Sequence, residues 1–300
     1  MAIKTVQAII NGQAYTLTLN SGTGKYEATI TAPGKTSYNQ TGGYYNVQVK
    51  ATNEAGTVGT ADASTMAGLK LVVRERVAPV ITIISPSTGA YVNNSKQPVV
   101  FTVVDEADGS GVDLSTLVVK QDETAVASSA ITSTAIANGY QVTYTPETAL
   151  TDGSHTVTVD CKDHDGNAAA QEATTFKVDT VPPTLNITAP VAGLITASPA
   201  QTVAGITNDA TSSPVTISIT LNGVDQGAVP VASNGSFTKS VTLREGSNTI
   251  VVTATDAAGQ KTTVSRTVTL DTSVPVIKSA TITPNPVDAG KSMVIAVEIV

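Results

Sequence analysis

The acidic side chains are the group in this chain whose types and spacing come nearest to a chemical site. Four of them lie within nine residues, at Asp105, Glu106, Asp108 and Asp113. Three more follow in the same segment, at Asp160, Asp163 and Asp165. Calcium is bound by several carboxylate and carbonyl oxygens, but this spacing differs from that of the twelve-residue calcium loop, and we find no equivalent cluster in residues 181–272. The sequence therefore predicts solvated turn acids and leaves open whether the Asp105–Asp113 loop binds calcium.

The other reactive residue types are scarce. His155 and His164 are the only histidines and Cys161 is the only cysteine, so no intrachain disulfide can form and no zinc-ligand spacing is present. Cys161 takes the place that Ala51 and Ala254 hold in two related stretches, which predicts a small core residue. There is no nucleophile elbow and no phosphate-binding glycine loop. We predict no catalytic residue, no cofactor and no metal ligand, and hence a protein that is not an enzyme.

Composition restricts the elements that could position any site. Hydrophobic residues make up 41% of the 300, yet aromatic residues only 4%, and there is no Trp. The apolar content is therefore mainly small and β-branched, which suits a pleated surface. Charged residues are 14% and the net charge is -7, which argues against binding to the phosphates of nucleic acid. No run of 18 apolar residues and no secretion signal is visible, so neither a membrane span nor a secretion route is expected.

One stretch occurs three times and sets the architecture. It occupies residues 49–56, 159–166 and 252–259, each copy following an alternating apolar run and ending in Asn/Asp-x-x-Gly. Alternation with period two predicts a half-buried strand, and the turn residues predict a chain reversal. Tyr45, His155 and Asn248 precede the three copies at equivalent positions, where a polar side chain at a sandwich corner bonds the backbone.

The repeat predicts an all-β chain of tandem immunoglobulin-like β-sandwiches with a C-terminal two-stranded extension. The predicted units are residues 1–76, a sandwich lacking strands A and B; 77–180 and 181–272, two complete sandwiches; and 273–300, a strand pair that is part of a further unit. Proline at the junctions, as in Val181-Pro182 and Val274-Pro275, removes backbone donors and stiffens the chain there.

The C-terminal pair is predicted to donate its strands to a partner. Its apolar residues fall on one face, and a two-stranded piece alone is marginally stable. The predicted partner-binding residues are Ile277, Ile282, Met293, Ile295, Val297 and Ile299. The strands could complete the sandwich predicted for residues 1–76 of the same chain or of a neighbouring copy. Alternatively, they could pair with another protein. We favour head-to-tail self-association by strand addition, giving a ring or fibre.

Several motifs resemble a known family. Residues 252–259, 181–190 and 281–290 resemble bacterial Ig-like repeats, which occur in bacterial surface proteins and in tail and baseplate proteins of phages that infect Gram-positive bacteria; residues 4–33 resemble short Ig-like proteins of such phages. The resemblance implies a structural protein of the virion, in the tail or baseplate, acting as a ring, spacer or fibre, with other virion proteins as alternative partners of the C-terminal pair. Two alternatives are a capsid-surface or tail decoration protein that binds cell-wall carbohydrate, and the stalk of a bacterial adhesin. Neither nucleic acid nor a membrane is an expected partner.

Overall fold

The computed structural model describes residues 2–300. The chain divides into two compact units, the first ending at residue 178 and the second covering residues 179–300. Both units are built of β-strands. The helices among the described residues are two 3-10 turns of three residues each, Ala67–Leu69 and Ser128–Ala130, and neither is long or apolar enough to cross a membrane.

The first unit begins with a single sheet. Its strands are β1 (Ile3–Ile10), β2 (Gln13–Asn20), β3 (Lys25–Glu27), β4 (Tyr45–Asn53), β5 (Val58–Ala61) and β6 (Lys70–Leu71). The order is β3-β2-β1-β4-β5, with β6 beside β4. Alternation buries Val6, Ala8 and Ile10 on one face of β1. Asn11 and Gly12 both have positive φ, the two-residue turn that the Asn-Gly pair predicts between β1 and β2.

A complete sandwich follows in the same unit. Its strands are β7 (Val80–Ser85), β8 (Tyr91–Val92), β9 (Val99–Val104), β10 (Val112–Gln121), β11 (Thr124–Ala125), β12 (Ile131–Ile136), β13 (Gly139–Tyr144), β14 (Gly153–Asp163) and β15 (Glu172–Val178). One sheet has the order β12-β13-β9-β7 and the other β11-β10-β14-β15-β8. Their inner faces enclose a core in which Phe101, Val142, Val157 and Phe176 are fully buried. Burying each such side chain stabilises the fold by about 1.5–3 kcal/mol.

The second unit repeats this arrangement. Its strands are β16 (Thr184–Ala189), β17 (Leu194–Thr196), β18 (Ala200–Asn208), β19 (Thr216–Leu221), β20 (Val224–Asp225), β21 (Ser236–Thr242), β22 (Gly246–Thr255) and β23 (Lys261–Leu270). The sheets have the orders β16-β18-β21 and β17-β23-β22-β19-β20. The core between them includes Val203, Ile219, Ile250 and Val252. Two face-packed sheets, antiparallel except for the short edge strands β8 and β17, confirm the prediction of tandem immunoglobulin-like sandwiches.

The chain continues into an isolated strand pair, β24 (Ile277–Thr283) and β25 (Val294–Ile299), paired antiparallel. Ile282 lies opposite Ile295 and Ala280 opposite Val297, so the apolar side chains share one face. Every residue of the two strands is exposed, including Ile295 at 60%. The pair has a defined register and no core of its own.

Candidate metal centres

Three carboxylates converge beside the first sandwich. One oxygen each from Glu75, Asp105 and Glu106 lies within 4.8 Å of the other two. Asp105 is 4% exposed, and its Oδ1 and the Oε2 of Glu106 are buried without a hydrogen-bond partner. A buried charged oxygen without a partner is costly unless a positive charge is nearby, so this cluster has the character of an incomplete site.

Backbone and side-chain donors hold this cluster in place. Asp105 follows β9 directly, and its Oδ2 accepts a hydrogen bond of 2.7 Å from the backbone N–H of Gly111. Glu75 comes from the segment that precedes the sandwich; its Oε1 accepts from Ser110 Oγ at 3.1 Å and its Oε2 from Val77 N at 2.6 Å. These bonds leave Asp105 Oδ1 and Glu106 Oε2 free to bind a ligand.

The pKa values show how unfavourable the unneutralised cluster is. Burial, followed by the neighbouring Asp105 carboxyl, raises the pKa of Glu106 to about 7. Burial, followed by the Asp163 carboxyl, also raises the pKa of Glu75. Both shifts have the direction expected when like charges are forced together out of water, and a bound cation would relieve them.

The second sandwich carries a matching cluster. One oxygen each from Asp179, Asp209 and Asp256 lies within 4.8 Å of the other two. Asp179 is 1% and Asp256 6% exposed, and Asp256 Oδ2 has no hydrogen-bond partner. Asp209 Oδ1 accepts from the backbone N–H groups of Thr211 and Ser212 at 2.8 and 2.7 Å.

Two of the three acids in each cluster occupy equivalent positions of the repeat, whereas the third differs, being Glu106 in the first cluster and Asp256 in the second. Glu75 and Asp179 each lie four residues before a proline, Pro79 or Pro183. Asp105 follows β9 directly, as Asp209 follows β18. Residues 181–272 hold no local acidic loop like that from Asp105 to Asp113, in agreement with the prediction. The prediction did not anticipate a cluster of acids that are far apart in the chain, one of which, Asp179, lies before residue 181. These acids meet only where the strand ends and the linker converge.

The third position of the repeat is acidic in both sandwiches as well. Asp163 ends β14 and Asp256 follows β22, each three residues before the glycine of the repeated turn. Asp163 is joined to Glu75 by Asn167, whose Nδ2 lies 2.7 Å from Asp163 Oδ2 and 3.1 Å from Glu75 Oε2.

The clusters fit a hard divalent cation. Calcium binds oxygen ligands at about 2.3–2.6 Å, so two oxygens on one ion lie at most about 5 Å apart, as they do here. The ligand set contains neither histidine nor cysteine, which favours calcium or magnesium over zinc or copper. The interpretation of the acids as solvated turn residues fails for Asp105, which is buried, and for Asp113, which is half-buried within β10, but holds for Asp108. Asp108 pairs with Lys35 at 2.7 Å on the surface, and Asp113 accepts hydrogen bonds from Ser115.

The corner prediction for the three equivalent positions is confirmed. His155 Nε2 bonds the carbonyl oxygen of Thr151 at 2.8 Å, and Tyr45 donates from its hydroxyl to the carbonyl of Lys35 at 3.2 Å. Asn248 donates to the carbonyl of Arg244 at 2.6 Å. Cys161 is 2% exposed and belongs to the core of the first sandwich, as predicted.

His164 lies in a turn, as predicted, but has a specific neighbour that the sequence did not indicate. Its ring stacks on Tyr38 with centroids 4.4 Å apart and planes 8° apart. Tyr44 lies beneath the ammonium of Lys70, and Tyr91 beneath that of Lys177. The exposed Tyr38 and the half-buried Tyr44 and Tyr91 therefore each contact a residue of the chain itself.

Sequence profiles agree with the two sandwiches. The profile described as bacterial Ig-like domain matches residues 89–180, and that described as glucodextranase, domain B, matches residues 183–272. The chain is an immunoglobulin-like repeat protein. No curated protein sequence matches it significantly. The non-enzymatic prediction remains a prediction for this Ig-like repeat protein.

Solved structures similar to this Ig-like repeat protein share its fold class at low identity. The fibronectin(III)-like modules of Clostridium thermocellum CbhA are 16% identical, with 64% of this chain and 94% of that chain covered and a TM-score of 0.43. Domains A168–A170 of titin are 14% identical, with 88% and 86% covered and a TM-score of 0.44. The Escherichia coli adhesin FdeC is 15% identical, with 74% and 73% covered and a TM-score of 0.37.

Proposed function

We propose that this Ig-like repeat protein is a structural spacer whose sandwiches each bind a divalent cation, with calcium as the best-fitting ion. The observation that carries the proposal is a three-carboxylate cluster with a buried, unpartnered oxygen in both sandwiches, with two of the three acids at equivalent positions. In each cluster one ligand comes from a linker acid four residues before a proline. Binding would fix that linker residue to the loops of the sandwich that follows and so stiffen the chain there.

The proposal predicts two calcium ions per chain. Titration of calcium chloride into the cation-free chain, followed by calorimetry, should give a stoichiometry of two. Asp105→Asn and Asp256→Asn should each remove one site, because each replaces a buried carboxylate by a neutral amide. Asp108→Asn is the matched control, since this acid has an exposed side chain outside the cluster. A chain that takes up no calcium, or whose stoichiometry is the same in all variants, contradicts the proposal.

We further propose a phage particle, in the tail or baseplate, as the setting of this spacer. The support is the resemblance of residues 4–33 to short Ig-like proteins of phages that infect Gram-positive bacteria. The adhesin stalk is the second candidate, favoured by the match of residues 89–180 to the bacterial Ig-like profile. A decoration protein that binds cell-wall carbohydrate is the third. Retention on purified cell wall would favour the third candidate over the first two.

We also propose that β24 and β25 mediate self-association, by packing on the first sheet of a neighbouring copy. Two observations support this proposal. The apolar face of the strand pair is fully exposed, and no second sheet among residues 3–71 covers the sheet formed by β1–β6. Ile295→Asp should convert an oligomer into a monomer in light scattering. Ala296→Asp, on the opposite face of β25, should leave the oligomer intact. If the unaltered chain is a monomer at all concentrations, self-association is excluded and the pair serves another partner.

A further inference from the structure

The loop before β4 connects the first sheet to the metal cluster of the first sandwich. Thr36 Oγ1 donates to Asp165 Oδ2 at 2.6 Å, and Asn39 Nδ2 donates to the carbonyl of Gly109 at 2.7 Å. The ring of Tyr38 stacks on His164. These contacts fall on residues 109–111 and 163–165, the two loops that also position the carboxylates of the cluster.

The same loop is bonded to the linker that supplies Glu75. Ser37 N donates to the carbonyl of Val73 at 2.8 Å, and Val73 N donates to Ser37 Oγ at 3.1 Å. Glu75 N in turn donates to Asp165 Oδ2 at 3.1 Å, the oxygen that also accepts from Thr36. The loop, the linker and the cluster therefore form one continuous hydrogen-bonded network.

The first sheet depends on this network for its attachment. The two clusters of buried hydrophobic residues found among the described residues lie in the two sandwiches, and neither includes a residue of the first sheet. The polar contacts of residues 35–39 are therefore the main non-covalent attachment of the first sheet to the sandwich. Bonds of this kind form only while the loops that receive them keep their shape.

We infer that occupation of the Glu75, Asp105 and Glu106 cluster by calcium controls the docking of the first sheet on the first sandwich. The inference rests on the proposed function, because it assumes the cation, and adds a consequence for one site only. With the ion bound, the 105–111 loop and Glu75 are held together and the docking contacts are ordered. Without the ion, mutual repulsion of the carboxylates loosens the loop and the sheet detaches from the sandwich. The hydrogen bonds between its strands then open more often.

Hydrogen–deuterium exchange of the full chain, with calcium chloride or with a chelator, tests this inference. Calcium should slow amide exchange in β1 and β4 at least tenfold. Asp105→Asn should abolish that slowing, whereas Asp209→Asn, in the second cluster, should leave β1 and β4 unchanged and affect only its own sandwich. Asn39→Ala, which removes a docking contact without touching a ligand, should reduce the slowing while calorimetry still records two bound ions.

The possible results separate the two proposals. If two ions bind and exchange in β1 and β4 is unaffected by calcium, the docking inference is overturned and the spacer proposal stands. If no calcium binds, both fail. If exchange slows equally in the Asp105→Asn variant, the effect comes from elsewhere and the docking inference is again overturned.

Discussion

Gly235→Ala is expected to unfold the second sandwich or to destabilise it by several kcal/mol. Gly235 has φ +80°, and a Cβ added there would lie 1.9 Å from the carbonyl oxygen of Thr207. That oxygen is part of β18, to which the glycine is bonded through its own carbonyl and Thr207 N at 2.9 Å. The backbone must therefore move apart, which breaks the pairing of β18 with β21. The left-handed conformation adds about 1–2 kcal/mol for a residue with a Cβ.

Gly223→Ala is the matched control for this prediction. Gly223 has φ +82°, but an added Cβ meets no atom within 4 Å. It should therefore show only the conformational cost of about 1–2 kcal/mol. Circular dichroism in urea is the suitable measurement, because all eight tyrosines lie between Tyr15 and Tyr144 and report only on the first unit. Equal loss of stability in both variants would show that β18 and β21 are not packed as closely as described.

His155→Leu is expected to destabilise the first sandwich by about 1–3 kcal/mol, because it removes both hydrogen bonds of a ring that is itself buried. The ring Nδ1 of His155 lies 2.7 Å from Asp122 Oδ2, and Nε2 bonds Thr151. Burial alone would lower the pKa of His155, but the bonds to Asp122 and Thr151 outweigh it and the net pKa is raised. The stabilisation from protonated His155 is therefore fully present below the unfolded pKa of 6.5 and is lost as the pH rises through the higher folded pKa.

Protonation of Asp122 ends the stabilisation by the same pair at low pH. Burial would raise its pKa, but the bond to His155 and the backbone bond from Thr156 lower it below 3.8. Its contribution is present above that value and is lost as the pH falls through the folded pKa. The pair should therefore stabilise the sandwich most between 3.8 and 6.5.

Urea unfolding followed by tyrosine fluorescence at pH 6 and pH 9 measures the contribution of His155. The pKa values of Glu75 and Glu106 are raised as well, so these groups also contribute to the pH dependence of stability. The contribution of His155 is therefore taken from the difference between the variants and the unaltered chain. His155→Asn places here the residue found at the equivalent Asn248 and should keep the corner bond while removing the histidine titration. An unchanged pH dependence in His155→Asn would exclude His155 as its source.

Much of the fold could be predicted from local pattern alone. Alternation of apolar residues in β14 and β22, with turn residues at fixed offsets, specifies strands and reversals without reference to distant parts of the chain. The alternation of Tyr26, Ala28 and Ile30 is typical of a longer strand, yet β3 ends at Glu27, where its pairing with β2 ends. Sequence periodicity gives the faces of a strand but does not tell how far its pairing extends.

The two carboxylate clusters could not be predicted in the same way. Glu75 and Asp105 are thirty positions apart and belong to a linker and a strand end, and they meet only through tertiary packing. The local run from Asp105 to Asp113 is a misleading signal, because Asp108 faces solvent and Asp113 lies in β10, and neither belongs to the cluster. A usable signal was present nonetheless, since an acid stands four residues before a proline at Glu75 and again at Asp179.

The position of these linker acids determines where such a chain can be cut and rejoined. Asp179 precedes the second sandwich in sequence but belongs to its cluster, and the compact unit begins at this residue. Recombination between repeats at Val181 would separate the acid from its two partners, whereas exchange just before Asp179 would transfer all three together. Gene segments that encode interchangeable repeats should therefore begin at the acid, with the linker inherited as the head of the following module.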